Sequence, residues 1–524
     1  MEFNTTNNLP KSAATEFQIF GSLAHSLQTA ALAAIIFAVC ASLPKLKHKT
    51  QLSRLPNLGG STSGEEHRKG YLQSARQMYS EGYKKFKDRL YLTTNSDAGE
   101  KSVVVPLSLL PELRKLSDDV LSFPKAVESA MEIKYTHLEI EVDLLPHTIK
   151  SDLTPALARL NPIICKEVDA AVRHHLPPCN DWTEVNINSK LVDIVAKVSG
   201  FIFVGPELSS DPEYLDCGTN YTVRLMEAIH AIKAIRPWLR PFLVPRLPEI
   251  AKLREMEKRA AQHLGPIVRE RLAAEKNDPN WQKPDDMLQW ILNRNAGKNA
   301  FTAEQLAKMQ LSLIFAAIHT TTLTATSILY TLAVTPEYIQ PLREEIRNAM
   351  HENNGVINSR ALQSMTQLDS YMKEVIRVYT PFITSFNRRV LKGITLSNGQ
   401  YIPAGVILEV PAAAVYADST YYPSASEFDG FRFSKLRKQG SVSDNARNQF
   451  VTTNEANLMF GYGRHACPGR FFATNEIKMI LARLVLDYDI AMPEGERERY
   501  KPIEIGKSSM PDPRKVLMFK RVEV

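Results

Sequence analysis

Apolar residues fall along this chain in three rhythms. The first is an unbroken run: from Ile19 to Leu43 no Asp, Glu, Lys or Arg occurs, and Thr29 to Leu43 is almost wholly apolar. About 20 residues suffice to cross a bilayer as a helix. A buried core helix or a cleaved signal sequence has the same composition, but a signal carries its positive charge ahead of the apolar run. Here Lys45, Lys47, Lys49 and Arg54 follow it. Cationic flanks stay on the cytosolic side, so residues 19–43 are expected to form a single transmembrane anchor. Residues 1–18 are then lumenal and the remainder faces the cytosol, as in a single-pass protein of the endoplasmic reticulum. A basic, Pro/Gly-rich hinge over residues 44–70 includes Leu55-Pro56-Asn57-Leu58-Gly59-Gly60-Ser61 and leads into a globular body over 71–524.

The second rhythm repeats every three to four residues and predicts helices. One helix is expected over Tyr71–Phe86, and helical pattern dominates residues 110 to 350, broken by prolines at Leu176-Pro177-Pro178 and between Pro237 and Pro248. Thr302-Ala303-Glu304-Gln305 has the form of a capping box, and helical composition runs from there to Thr335, before Pro336. In its middle lies Ala316-Ala317-Ile318-His319-Thr320-Thr321-Thr322. Three successive threonines and a histidine are poor helix formers, and breaches of local preference mark places where function is expected. As pure structure, the hydroxyls bond back to carbonyls one turn earlier and the histidine is a core residue. The third rhythm is short and strand-like, at Leu90–Thr93, Ser102–Pro106, Thr395–Leu396 and Ile407–Val410. The expected fold is mainly α with small β-sheets, without internal repeats or a second domain boundary.

Composition narrows the function classes. The net charge of +7 is mild and dispersed along 524 residues, so nucleic-acid binding has no support. Five cysteines, Cys40, Cys165, Cys179, Cys217 and Cys467, are odd in number and scattered without a C-x-x-C pair. That argues against a disulfide framework or a zinc site and suits a reducing compartment.

Chemistry concentrates near the end, at Phe460-Gly461-Tyr462-Gly463-Arg464-His465-Ala466-Cys467-Pro468-Gly469-Arg470. After Pro468, the apolar positions Phe472, Ile477, Ile480, Leu481, Leu484 and Val485 have helical spacing. Proline is favoured at the first helical position, which would set Cys467 at the helix N-terminus, where the dipole favours a thiolate. Gly461-x-Gly463-x-x-Ala466 also fits a dinucleotide fingerprint. However, too few residues follow for that domain, and Pro468 falls where the phosphate-binding helix should already be running.

Phe460, Gly463, His465, Cys467 and Gly469 match the cysteine-ligand loop F-x-x-G-x-[RH]-x-C-x-G, and the stretch resembles that of the cytochrome P450 superfamily. Residues 316–321 resemble that superfamily's oxygen-activation motif with Thr320 as its threonine, although Ala317 replaces the usual glycine and His319 the usual acid. Glu374-Val375-Ile376-Arg377 resembles its E-x-x-R helix. Phe431-Arg432-Phe433 resembles its P-x-R-F segment, with Gly430 where proline is usual. The resemblance implies the mostly α P450 fold and a haem b (iron protoporphyrin IX) cofactor with Cys467 as axial iron ligand. Phe460, Gly461 and Gly469 would line that loop, and His465 and Arg389 would face the haem propionates, Arg389 by its spacing to Gly405. It also implies a structural triad of Glu374, Arg377 and Arg432, and catalytic roles for Thr320, which would hold a water, and for His319 as a proton relay. The superfamily often adds a W-x-x-x-R pair on an earlier helix; no Trp stands there in this chain, and His147 or Lys150 is the substitute on offer. The implied activity is monooxygenation of an apolar small molecule with dioxygen, fed by NADPH–cytochrome P450 reductase. The motif variants look most like fungal secondary-metabolism enzymes of the kaurene-oxidase-like group, hence a terpenoid or terpenoid-hybrid substrate. A reductase-independent haem-thiolate isomerase or dehydratase, and a haem-binding protein without turnover, are the alternatives. Residues 131–135, Phe315, Ile318 and residues 382–386 are the expected pocket lining.

Overall fold

Four helices near the site start at caps that the sequence supplies. The computed structural model describes residues 28–37, 39, 42, 43, 46–58, 64–94, 101–139, 144–294 and 301–522. The elements that build the site are, in chain order, α1 (Gly64–Phe86), β1 (Tyr91–Thr94), β2 (Lys101–Val104), β3 (Leu121–Ser122), α2 (Phe123–Ala130), α3 (Thr154–His175) and α4 (Ile187–Val204). There follow α5 (Pro212–Ala234), α6 (Pro248–Asn277), α7 (Ala303–Leu332), α8 (Thr366–Val378), β4 (Ser385–Val390), β5 (Ile407–Val410) and α9 (Arg470–Asp487). Ser122, Asn186 and Asp211 each accept backbone N–H groups at the starts of α2, α4 and α5. These bonds satisfy amides that have no partner inside a helix. At α7 the full capping box forms: Gln305 N–H donates to Thr302 Oγ1 at 3.2 Å, and Thr302 N–H to Gln305 Oε1 at 3.0 Å.

α7 is the central rod. At 30 residues it is about 45 Å long, and α4, α5, α6, α8 and α9 all pack on it. It ends at Leu332, three residues before the expected Thr335. Among the described residues it is also the one helix long and apolar enough to cross a bilayer, yet two thirds of its apolar window is buried, so it is a core helix. Of the expected anchor, Gln28–Phe37 forms a short apolar helix, with Leu32, Ile35, Ile36 and Phe37 all exposed. Residues 1–27, 38, 40 and 41 lie outside the described residues, so the expected lumenal segment and most of the anchor do too.

The sheets are small. The largest runs β1-β2-β5-β4-β3, antiparallel throughout except for the parallel β2–β5 pair. β4 was not expected from the pattern; it opens with an irregularity between Ser385 and Arg388, where Phe386 takes φ +56. A second sheet places Leu517–Arg521 between Thr183–Val185 and Tyr488–Ala491. Pro468 is not the first residue of the final helix, as expected. Gly469 is the N-cap and α9 begins at Arg470, so the cysteine lies three residues before it, separated by a Pro468-Gly469 turn.

Candidate active site

The loop before α9 is held from behind by its own backbone. Cys467 N–H donates to Phe460 O at 2.7 Å, Gly461 N–H to Leu458 O at 2.9 Å, and Ala466 N–H to Gly463 O at 3.1 Å. Gly461 and Gly463 have φ of +74 and +75, which L-residues rarely adopt. A side chain at Gly463 would also crowd Arg114 Cβ at 3.2 Å. Phe460 meets Phe450 edge-on at 5.5 Å, so its ring is fixed beside the loop.

Cys467 itself is exposed, yet burial is the largest influence on its thiol and pushes the pKa above the ordinary value. The two facts agree if its free surface opens on an interior space and not on bulk water. The backbone N–H groups of Gly469 and Arg470 and the charge of Arg470 act the other way, favouring sulfur as an anion. Burial and these groups thus pull in opposite directions on the sulfur, and a coordinated cation would favour its anionic form. α7 fits the same reading of an interior space. Ala316 and Thr320, one turn apart, are exposed in the middle of a helix otherwise buried over most of its length.

Thr320 Oγ1 donates to Ala316 O at 2.7 Å, leaving its oxygen free to accept from the exposed side. Its neighbour His319 turns elsewhere: Nε2 lies 3.1 Å from Thr219 O on α5, and burial holds its pKa below the ordinary value. Ile318, expected in the pocket, is packed in the core, whereas Phe315 is half-buried.

Glu374 and its partners lie behind the loop. Glu374 has no exposed surface, and Arg377 forks onto it through Nε and Nη2 at 2.8 and 2.7 Å. Arg432 Nε reaches both carboxylate oxygens at 3.1 Å. The arginines spend their remaining donors on carbonyls: Arg377 on Tyr416, Ala425 and Glu427, and Arg432 on Pro423, Ser424 and Glu427. The departure at Gly430 has a steric reason. A Cβ there would sit 2.6 Å from Tyr371 and 2.7 Å from Tyr338, and Gly430 N–H donates to Tyr338 Oη at 3.1 Å. Two tyrosine rings fill the space that a proline would take.

At the expected propionate edge the structure supplies residues the sequence did not single out. His465 Nε2 is 2.7 Å from Asp118 Oδ1, and its ring stacks on Phe123 at 5.3 Å. Arg388, not Arg389, alternates to the buried face of β4. Its guanidinium lies 4.9 Å over Phe123 and 4.4 Å over Phe386, donates to Asn387 O at 2.8 Å, and lies 3.5 Å from Tyr462 O. Among the described residues no carboxylate comes within ion-pair distance of it, and burial pushes its pKa down to about 10. The charge of Asp118 favours the cation from beyond ion-pair distance but does not offset burial; a buried cation so weakly matched is costly, and this site suits an anionic group. Lys150 Nζ is 3.5 Å from Arg464 O, next to His465. A thiol under two N–H groups, an exposed threonine in the middle of a buried helix and a buried guanidinium only partly offset by Asp118 together suit a metal-centred ring bearing carboxylates.

The model of the Cytochrome P450 family matches residues 144–518. The chain belongs to the cytochrome P450 family. It is 41% identical over 495 residues to the cytochrome P450 monooxygenase TES1 of Alternaria alternata, spanning 94% of this chain and 93% of that one. It is 33% identical over 448 residues to the ent-kaurene oxidase of Gibberella intermedia, covering 84% and 82% of the two chains. A solved P450, the retinoic-acid-bound cyanobacterial CYP120A1, shares the fold at a TM-score of 0.65 with 17% identity, over 87% of this chain and 96% of that one. This P450 is thus a haem b protein and an oxidoreductase of the monooxygenase class, working with dioxygen, an organic substrate and a redox partner.

Proposed function

We propose that this P450 oxidises C–H bonds of a terpenoid or terpenoid-hybrid intermediate of fungal secondary metabolism, with electrons from NADPH through cytochrome P450 reductase. Similarity to ent-kaurene oxidases over most of the chain carries the substrate class. Haem b bound through a thiolate supplies dioxygen activation, the sulfur's electron density favouring O–O cleavage. Cys467 is the residue that would bind the iron, between Phe460, Gly461 and Gly469. Arg388 would meet a propionate in the desolvated space between Phe123 and Phe386, where a planar fork matches a carboxylate. His465, oriented by Asp118, closes the same edge, and Arg389 stands on the opposite face of β4. Thr320 would hold a water on its free acceptor side, the route by which protons are delivered. Glu374, Arg377 and Arg432 hold the fold behind the loop and touch no reacting atom.

The membrane is the second half of the proposal: a single-pass anchor over residues 19–43 in the endoplasmic reticulum, with the catalytic domain cytosolic. Exposed Trp238, Phe242 and Leu243, beside exposed Arg236, form a second apolar patch suited to a lipid interface. The test is incubation of membrane-anchored protein, reductase and NADPH with a panel of terpenoids under isotopically labelled dioxygen. One labelled oxygen in a product supports the reading. Turnover without NADPH, or product without label, returns the isomerase or dehydratase alternative; haem binding with no turnover at all returns the non-catalytic one.

A further inference from the structure

His319 stands where a proton-relaying acid is expected, and its geometry suits a different task. A carbonyl oxygen only accepts, so Nε2 must carry the hydrogen that bonds Thr219 O. That oxygen has a second lone pair beyond the one used inside α5, so the contact adds a bond without breaking the helix. Neutral imidazole has a single N–H, and burial disfavours the doubly protonated form. The one proton His319 holds is thus committed to α5. It also sits next to Thr320 in sequence, and adjacent helical residues do not face each other. Thr320 is exposed and its hydroxyl is turned to Ala316, whereas His319 is half-buried against another helix.

The surroundings make this contact matter. α5 and α7 approach closely one residue earlier, where a Cβ on Gly218 would lie 3.2 and 3.3 Å from Ile314. Among the described residues, His319 to Thr219 is the one hydrogen bond between the two helices. Tyr221 Oη and Thr222 Oγ1 on α5, and both amide atoms of Gln310 on α7, are buried without hydrogen-bond partners among the described residues. The rest of the contact is packing, which resists separation but tolerates sliding.

We infer that His319 is a positioning residue that pins α5 to α7 beside the inward-facing turn bearing Thr320, and so sets how readily α5 moves away from the cavity. This rests on Thr320 lining the cavity, and part of the test is independent of turnover. Two variants separate a pin from a relay. His319→Gln puts an amide N–H near the place of Nε2 but cannot shuttle a proton at neutral pH; His319→Asn has the same chemistry and is too short to reach Thr219. In holoprotein, deuterium uptake by amides 214–224 reads the mobility of α5, and stopped-flow release of 4-phenylimidazole from ferric haem reads passage past it. The pin predicts that His319→Asn raises uptake and speeds release roughly three- to tenfold, the scale of one lost hydrogen bond, while His319→Gln stays near wild type in both. It also predicts that His319→Gln keeps NADPH consumption coupled to product. If His319→Gln uncouples turnover as His319→Asn does, with α5 uptake unchanged in both, His319 is a relay and the pin is wrong. If His319→Asn fails to incorporate haem, His319→Gln alone decides: wild-type release with intact coupling supports the pin, and lost coupling overturns it.

Discussion

Replacing Glu374 by Gln changes one oxygen for an NH2 group and almost no volume, which makes it a clean probe of the charged knot behind the cysteine loop. The carboxylate has no exposed surface and accepts from Arg377 Nε and Nη2, Arg432 Nε and the Asp429 N–H, all between 2.7 and 3.1 Å. The amide removes the single anion matching two largely buried guanidinium groups and turns a donor toward donors. Breaking a buried pair from one side costs about 3–5 kcal/mol, a large share of the ~5–15 kcal/mol that holds a typical native state. Arg432→Gln should cost less, about 1–2 kcal/mol, because Glu374 keeps its two-pronged bond to Arg377 and Arg432 lies at the edge of the knot. Denaturant midpoints followed by tryptophan fluorescence and by haem absorbance would rank the two. Activity per haem-containing molecule should be unchanged in either, since neither residue touches the reacting groups. A Glu374→Gln midpoint within 1 kcal/mol of wild type, or a larger loss in Arg432→Gln, would refute the reasoning.

Three further outcomes follow from the same geometry. Arg388→Gln should release haem to apomyoglobin at least several-fold faster than wild type, while Arg389→Gln should not; the reverse order would return the propionate role to Arg389. Gly430→Pro should fold poorly, because the ring has no room beside Tyr371 and Tyr338 and removes the N–H bonded to Tyr338; soluble yield and haem content measure this, and a wild-type yield would contradict the packing. Glu476 is fully buried on α9, with Ser199 Oγ on one oxygen and, among the described residues, no partner on the other, and burial pushes its pKa up to about 8. The folded form keeps a proton that the unfolded form has lost above its ordinary pKa near 4.5. Stability should therefore fall as pH rises from about 5 to 8, by at most ~1.4 kcal/mol per unit, and Glu476→Gln should lack this slope in melts taken across that range.

What the sequence revealed and what it hid follow a physical line. α7 was legible because Thr302 and Gln305 are a local signal, needing only each other and the first turn. The cysteine loop was legible because glycines at positive φ and a fixed sulfur leave few substitutes. Which arginine of β4 is buried was not legible. Arg388 and Arg389 are chemically alike, and which one faces inward depends on the irregularity at Phe386, which counting back from Gly405 cannot see. Thr219 was invisible for a plainer reason: it contributes a main-chain carbonyl, which every residue owns. Asp118 lies far from His465 along the chain and meets it only through the fold. Gly430 looked like a departure from pattern until Tyr338 and Tyr371 were in place beside it.

The bond between Cys467 and haem iron is the central claim, and absorbance tests it most directly. Reduced protein exposed to carbon monoxide should show the red-shifted Soret band of thiolate-bound haem, and Cys467→Ser should lose that band while any haem retained absorbs at the unshifted position. Absence of the band in the parent protein, or its survival in the serine variant, would contradict the account.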